Sequence, residues 1–234
     1  MNTSPRYDII VFGATGFTGR LAAIALSAYP EIKLAIAGRN SKKLEEVASL
    51  CSERPGIVIA DASDAKSIRS MVEQGRVIAS FAGPFSLYGE AVIASCADLG
   101  RAYCDITGES PFIASMIERY AARARETGAC LIPMSGFDSV PGDVLSFLAL
   151  EEGQRHAWDL KELTHYYQIK GGFNGGTLHS ALIMGEQDLG AVMSDANILV
   201  PDKSWAPNKK ASLKPLYEPF LKRWSAPFFM DPIN

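Results

Sequence analysis

The sequence predicts an α/β fold: a doubly wound parallel sheet followed by the start of a second α/β unit. Three observations predict it. Six short apolar runs recur at regular spacing over residues 1–150, with helical patterns between them. The runs are continuous rather than alternating, as strands covered on both faces are. A glycine-rich segment, Gly13–Gly19, joins the first run directly to the first helix. Strands that alternate with helices in this way form parallel sheets through right-handed crossovers.

Strands are expected at Asp8–Phe12, Leu34–Ala37, Ile57–Ala60, Val77–Ala82, Ala102–Ile106 and Cys130–Met134. Gly75, Gly100 and Gly128 each stand where a glycine closes the preceding helix. Ser110-Pro111 reads as a helix cap followed by the first helical residue. Phe112, Met116, Tyr120 and Ala124 then recur at helical spacing and give that helix an apolar stripe. Beyond about Leu150 the pattern changes: Leu160–Ile169 reads as one strand, Gly171–Gly176 as a glycine-rich loop and Thr177–Met193 as a helix. Residues 201–234 show no clear element, yet hold six of the 13 prolines and two of the three tryptophans. Trp205, Tyr217, Phe220, Trp224, Phe228 and Phe229 need a surface to pack against. A dimer partner or a longer chain would supply one. The expected division is a nucleotide-binding domain at 1–150 and, at 151–234, the start of a substrate or oligomerisation domain that is cut short.

Composition narrows the classes. The 234 residues carry a net charge of −3, with 47% hydrophobic and 21% charged residues. Such a chain buries a full core without staples and is not a disordered polymer. A pI near 5.7 and the lack of a Lys/Arg cluster argue against nucleic-acid binding. Glu90 and Asp98 interrupt the longest apolar candidate, Val77–Leu99, so no membrane span is expected. No signal peptide is recognisable. Cys51, Cys96, Cys104 and Cys130 lack C-x-x-C spacing and read as reduced core residues of a cytoplasmic protein.

Gly13-Ala-Thr15-Gly16-Phe17-Thr18-Gly19 follows a strand and opens a helix, the context in which glycines let a backbone approach a pyrophosphate. The spacing is G-x-x-G-x-x-G, and the expected architecture is Rossmann-like. At the end of the second strand an NAD site would place a carboxylate on the ribose 2′-hydroxyl. Here the residues are Gly38-Arg39-Asn40-Ser41-Lys42-Lys43, with no acid before Glu45. Arg39, with Asn40 and Lys42 beside it, therefore points to the 2′-phosphate of NADP. Asp61-Ala62 is placed for the adenine edge, and Ala82-Gly83-Pro84 for the nicotinamide half. The competing reading is that Asp61 starts a turn.

The two Tyr-x-x-x-Lys matches, Tyr29–Lys33 and Tyr166–Lys170, lie in the wrong context for the short-chain dehydrogenase pair. His156, His165 and His179 are scattered and read as structural or solvated, and no metal-ligand cluster appears. Polar residues at strand ends remain as candidates for acid, base or substrate contact: Asp105, Tyr88 and Asp138. Asp138 and Asp143 also read as caps of the helix that Pro141 opens.

Five ordered motifs carry a family resemblance: Tyr7–Gly19, Ala37–Asn40, Gly83–Gly89, Tyr103–Glu109 and Gly136–Pro141. Together they resemble the saccharopine dehydrogenase-like oxidoreductases, in the branch that contains the trans-acting enoyl reductases. The resemblance implies a Rossmann domain, NADP(H), a small-molecule substrate and a second α/β domain that presents it. It also implies cofactor or substrate contact at Pro84-Phe85 and Asp105. The branch reduces a carbon–carbon double bond in a lipid or polyketide intermediate. Ser135 stands where the branch commonly has cysteine, and family chains continue past the point matching Pro227–Asn234. Two alternatives stay open: a non-catalytic NADP(H)-binding sensor or scaffold, and a saccharopine reductase of lysine metabolism.

Overall fold

The computed structural model describes residues 5–168, 170, 197–200 and 215–226. Its centre is a six-stranded parallel sheet of order β3-β2-β1-β4-β5-β6. The strands are β1 (Tyr7–Phe12), β2 (Leu34–Gly38), β3 (Gly56–Ile59), β4 (Gly75–Ser80), β5 (Ala102–Asp105) and β6 (Leu131–Ile132). The helices are α1 (Phe17–Leu26), α2 (Ser41–Ala48), α3 (Ala65–Gln74), α4 (Phe85–Tyr88), α5 (Glu90–Leu99), α6 (Ser110–Thr127) and α7 (Val140–Arg155).

The apolar runs follow from burial on both faces. Along β1, Ile10 and Phe12 join one core with Ile68, Met71, Val72, Val92, Ile93 and Cys96 from α3 and α5. Val11 points the other way, into a core with Ala23, Ile36, Leu44 and Val47 against α1 and α2. Successive side chains of a strand alternate faces, so a strand covered twice has no polar position. The apolar stripe of α6 is also observed, with Met116 in the core and Phe112 and Tyr120 packed on it. Strand order reverses between β1 and β4, and the carboxyl ends on either side of that switch point form a crevice.

Several expected elements differ. Gly100 and Gly128 end α5 and α6 in the left-handed conformation, φ +63° and +75°. Gly75 also closes α3, its N–H donating to the Val72 carbonyl, but it does so with extended backbone that opens β4. A Cβ there would lie 2.9 Å from the side chains of Ile10 and Ile78, so close packing, not a left-handed cap conformation, explains the glycine. Glu109, not Ser110, occupies the cap position of α6. The last strand of the sheet shrinks to Leu131–Ile132, because Pro133 has no N–H to donate and Met134 turns to φ +56°.

Residues 160–168 form no strand: among the described residues no neighbouring strand offers them a hydrogen-bond ladder. They run back along α7 instead, with Leu160 against Gly153, the Ser146 hydroxyl 2.9 Å from His165 Nε2 and Phe137 edge-on to Tyr167. Position 150 falls inside α7. A small hairpin, β7 (Leu216–Glu218) with β8 (Arg223–Ser225), appears where no element was expected. Its Tyr217 and Trp224 rings meet edge-on at 5.6 Å, and Phe220 meets Tyr166 at 5.4 Å. The expected loop Gly171–Gly176 and helix Thr177–Met193, with His179, Trp205, Phe228 and Phe229, lie outside the described residues.

Candidate functional site

The glycine loop turns where β1 ends. Gly13 has φ +79°, a conformation that side chains resist, and its N–H donates to the Ala37 carbonyl at 3.0 Å. A Cβ on Gly13 would stand 2.7 Å from the Ala82 backbone nitrogen. A Cβ on Gly19 would press on the Gly13 carbonyl, 2.9 Å from its carbon. Both glycines thus hold β1, α1 and the loop after β4 in backbone contact. Gly16 caps α1 without a side-chain hydrogen bond, and no acid occupies the first turn. The positive end of α1 is left open to an anion. Thr15, Gly16 and Phe17 are exposed there, with Phe17 61% exposed, and Thr18 is half-buried. This close-approach cradle fits a dinucleotide pyrophosphate.

At the end of β2, Arg39 is exposed. The Asn40 side chain accepts from the Lys43 N–H at 3.0 Å and so caps α2, whose second residue is the exposed Lys42. Two residues beyond β3, Asp61 Oδ1 accepts from the Ser63 N–H at 3.0 Å and hydroxyl at 2.7 Å. These bonds hold its carboxyl below the usual carboxylate range, and the nearby Arg39 guanidinium pulls the same way. Asp61 starts a turn, as the second expectation had it, while facing Arg39. Ala62 packs against the core.

The other half of the crevice is bounded by the loops after β4, β5 and β6. Ala82 and Gly83 lead into Pro84 and the short helix α4. Glu109, 4% exposed, reaches across from the β5 loop. Its Oε1 accepts from the Phe85 N–H at 2.9 Å and its Oε2 from the Ser86 N–H at 2.8 Å. Asp105, 2% exposed, ties β5 to the β6 loop. One oxygen accepts from the Tyr103 hydroxyl at 2.6 Å, the other from the N–H groups of Thr107 at 3.0 Å and Met134 at 2.8 Å. Burial pushes the Asp105 carboxyl above the usual range, against the pull of those three donors, and Glu109 adds to the rise. The same burial, with Asp105 alongside, pushes the Tyr103 phenol well up. Met134 is held at φ +56°, a strain of about 1 kcal/mol or more that its bond to Asp105 helps to offset.

Of the three predicted chemistry-bearing residues, Asp105 therefore spends both oxygens on protein donors. Tyr88, 38% exposed, closes α4 on the rim, and Asp138 is half-buried in the turn before α7. Two members of this knot escaped individual notice in the sequence. Tyr103 could have been found as the polar-tipped residue two before Asp105, on the same strand face. Glu109 could have been found as an acid directly before a Ser-Pro helix start. His165 and His156 are structural, on Ser146 and Glu152 respectively. The four cysteines are free thiols, but Cys130 is exposed rather than in the core. Among the described residues no cluster could hold a metal ion, and no helix is long and apolar enough to cross a membrane.

Sheet order, glycine loop and switch-point crevice together define a Rossmann-like fold. No family model matches the chain. A Mycobacterium tuberculosis protein, provisionally named a trans-acting enoyl reductase, is 32% identical over 255 aligned positions, spanning 100% of this chain and 60% of that protein. A Caenorhabditis elegans lipid droplet localized protein is 33% identical over 219 positions, spanning 85% of this chain and 50% of its own length. The chain thus spans 60% and 50% of the lengths of these two relatives. Saccharopine dehydrogenase (L-Glu forming) from Saccharomyces cerevisiae shares the fold, with a TM-score of 0.55 and 15% identity over 64% of this chain and 32% of that one. The chain is thus similar in sequence to proteins named trans-acting enoyl reductases over part of their length, and similar in fold to saccharopine dehydrogenase.

Proposed function

We propose that the chain carries the cofactor-binding part of an NADP(H)-dependent oxidoreductase that reduces the C=C bond of an enoyl lipid or polyketide intermediate. The cofactor, when bound, supplies the hydride. The observation that carries the choice of NADP(H) is the end of β2. Gly38 is followed by exposed Arg39, and the first turn of α2 contains no acid to receive a ribose 2′-hydroxyl. The Ser63 donors engage Asp61, so the Arg39 guanidinium has a fork to offer a 2′-phosphate.

Gly13, Thr15, Gly16, Phe17, Thr18 and Gly19 then hold the pyrophosphate. Arg39, Asn40 and Lys42 hold the 2′-phosphate end, Asp61-Ala62 borders adenine, and Ala82-Gly83-Pro84 lies beneath nicotinamide. Tyr88 and Asp138 are the rim groups able to orient substrate or deliver a proton, and Asp105 is a positioning residue. An apolar substrate is supported by a cavity of about 250 Å³ beside the rim, which Met134, Ser139 and Asp143 help to line. Ile113, Ile117 and Pro133 are shared between it and an apolar cavity of about 320 Å³ beneath α6. Residues 1–150 with the end of α7 form the cofactor domain, and the rest begins a substrate-presenting or dimerising unit in the cytoplasm.

Titration of Arg39→Ala with NADPH and NADH tests the reading. Loss of a charge-assisted contact of about 1.5–3 kcal/mol lowers NADPH affinity by about 10-fold or more and leaves NADH affinity unchanged. Equal losses refute the 2′-phosphate contact. NADPH oxidation on addition of an enoyl thioester tests the reaction.

A further inference from the structure

We propose that Glu109 is a positioning residue that sets the loop beneath the nicotinamide and makes that half of the site favour the oxidised, positively charged cofactor over the reduced, neutral one. The proposal rests on the dinucleotide reading above.

Four observations carry it. Both Glu109 oxygens accept backbone N–H groups, Phe85 at 2.9 Å and Ser86 at 2.8 Å, which is the pattern of an ionised carboxylate. The side chain is 4% exposed and its neighbour Asp105 is 2% exposed. Among the described residues no Lys, Arg or His forms an ion pair with either. Finally, the residues that Glu109 grips follow Ala82-Gly83-Pro84 directly, and the Ala82 backbone abuts Gly13 of the glycine cradle. The carboxylate is therefore fixed in the wall of the crevice.

Buried charge without a counter-ion is costly, and backbone N–H groups offset only part of it. The remaining negative potential extends into a crevice with low-dielectric walls, where it falls off slowly. A cationic ring is the complement of such a field. Loss of hydride creates that charge on the nicotinamide, so the reduced form gains less from the same wall. Glu109 acts here through the loop and its field, without needing to touch the ring. Asp105, with both oxygens bonded inside the protein, stiffens the same rim.

The test is titration of the full chain with NADP+ and NADPH for wild type, Glu109→Gln and Glu109→Asp, with thermal melts alongside. The Gln variant loses the charge. It is expected to weaken NADP+ binding by about threefold or more beyond any change for NADPH. Equal changes for the two forms, or a larger loss for NADPH, overturn the proposal. The Asp variant keeps the charge on a shorter arm, so overall affinity falls while the NADP+/NADPH ratio stays at its wild-type value. A Gln variant that fails to fold leaves the decision to the Asp variant, in which a shifted ratio overturns the proposal. Wild type that binds neither form overturns the dinucleotide reading itself, and this proposal with it.

Discussion

Replacing Tyr103 with Phe removes one hydroxyl from a sealed environment and changes little else. Tyr103 is 1% exposed and Asp105 2%, and their bond is 2.6 Å long. A hydrogen bond to a charged group is worth about 1.5–3 kcal/mol, against about 0.5–1.5 kcal/mol for a neutral pair. At an m-value of about 2 kcal/mol/M, the neutral-pH loss lowers the urea midpoint by about 1 M. The pH dependence carries a sign. Burial raises the Asp105 pKa, so its contribution to stability is fully present below the unfolded value near 3.8 and is lost as pH rises through the raised folded value. The Tyr103 donor restrains that rise, and its removal lifts the folded pKa further. The deficit of Tyr103→Phe therefore grows from acid to neutral pH and is about halved below pH 4. Urea titrations of both proteins between pH 3.5 and pH 8 measure it. A neutral-pH deficit below about 0.5 kcal/mol, or one that does not shrink on acidification, refutes the assignment of an ionised, Tyr-bonded Asp105.

Other consequences are quicker to check. Gly13→Ala places a side chain at φ +79° and 2.7 Å from the Ala82 nitrogen. It is expected to cost about 1–2 kcal/mol for the backbone alone and to abolish dinucleotide binding, as calorimetry and urea unfolding will show. Gly100→Ala meets the same conformational penalty at φ +63°, 2.7 Å from the Thr127 carbonyl oxygen, but spares binding because it lies at the far end of α5. In brief native-state alkylation read by peptide mass, exposed Cys130 is modified first. Cys96, whose thiol burial pushes far above its usual range, stays protected until unfolding.

Much of the fold was legible because its signals are local. A strand buried on both faces has to be apolar throughout, so Ile10, Val11 and Phe12 announce β1 without knowledge of its neighbours. A left-handed helix end needs glycine, so Gly100 and Gly128 were legible too. Gly75 shows where the local rule fails: a glycine selected for space beside Ile10 and Ile78 has the same letter as one selected for φ. Over the described residues 160–168 the expected strand is absent for a related reason, since a ladder needs a partner strand that local sequence cannot supply.

The site divides along the same line. Sequence alone determined the glycine loop after β1, the missing acid after β2 and the exposed Arg39 there, because loop, strand and helix are consecutive and their geometry follows from chain order. It also placed Asp105 at a strand end, whereas Tyr88 closes α4 and Asp138 lies in the turn before α7. Only the tertiary structure decided that Asp105 faces inward, held by Tyr103, Thr107 and Met134, and that Glu109 latches α4 from a loop 23–24 residues further along the chain. The physical reason is that a carboxylate's role depends on which donors surround it and how much water reaches it. Packing sets both, between segments that a linear reading keeps apart.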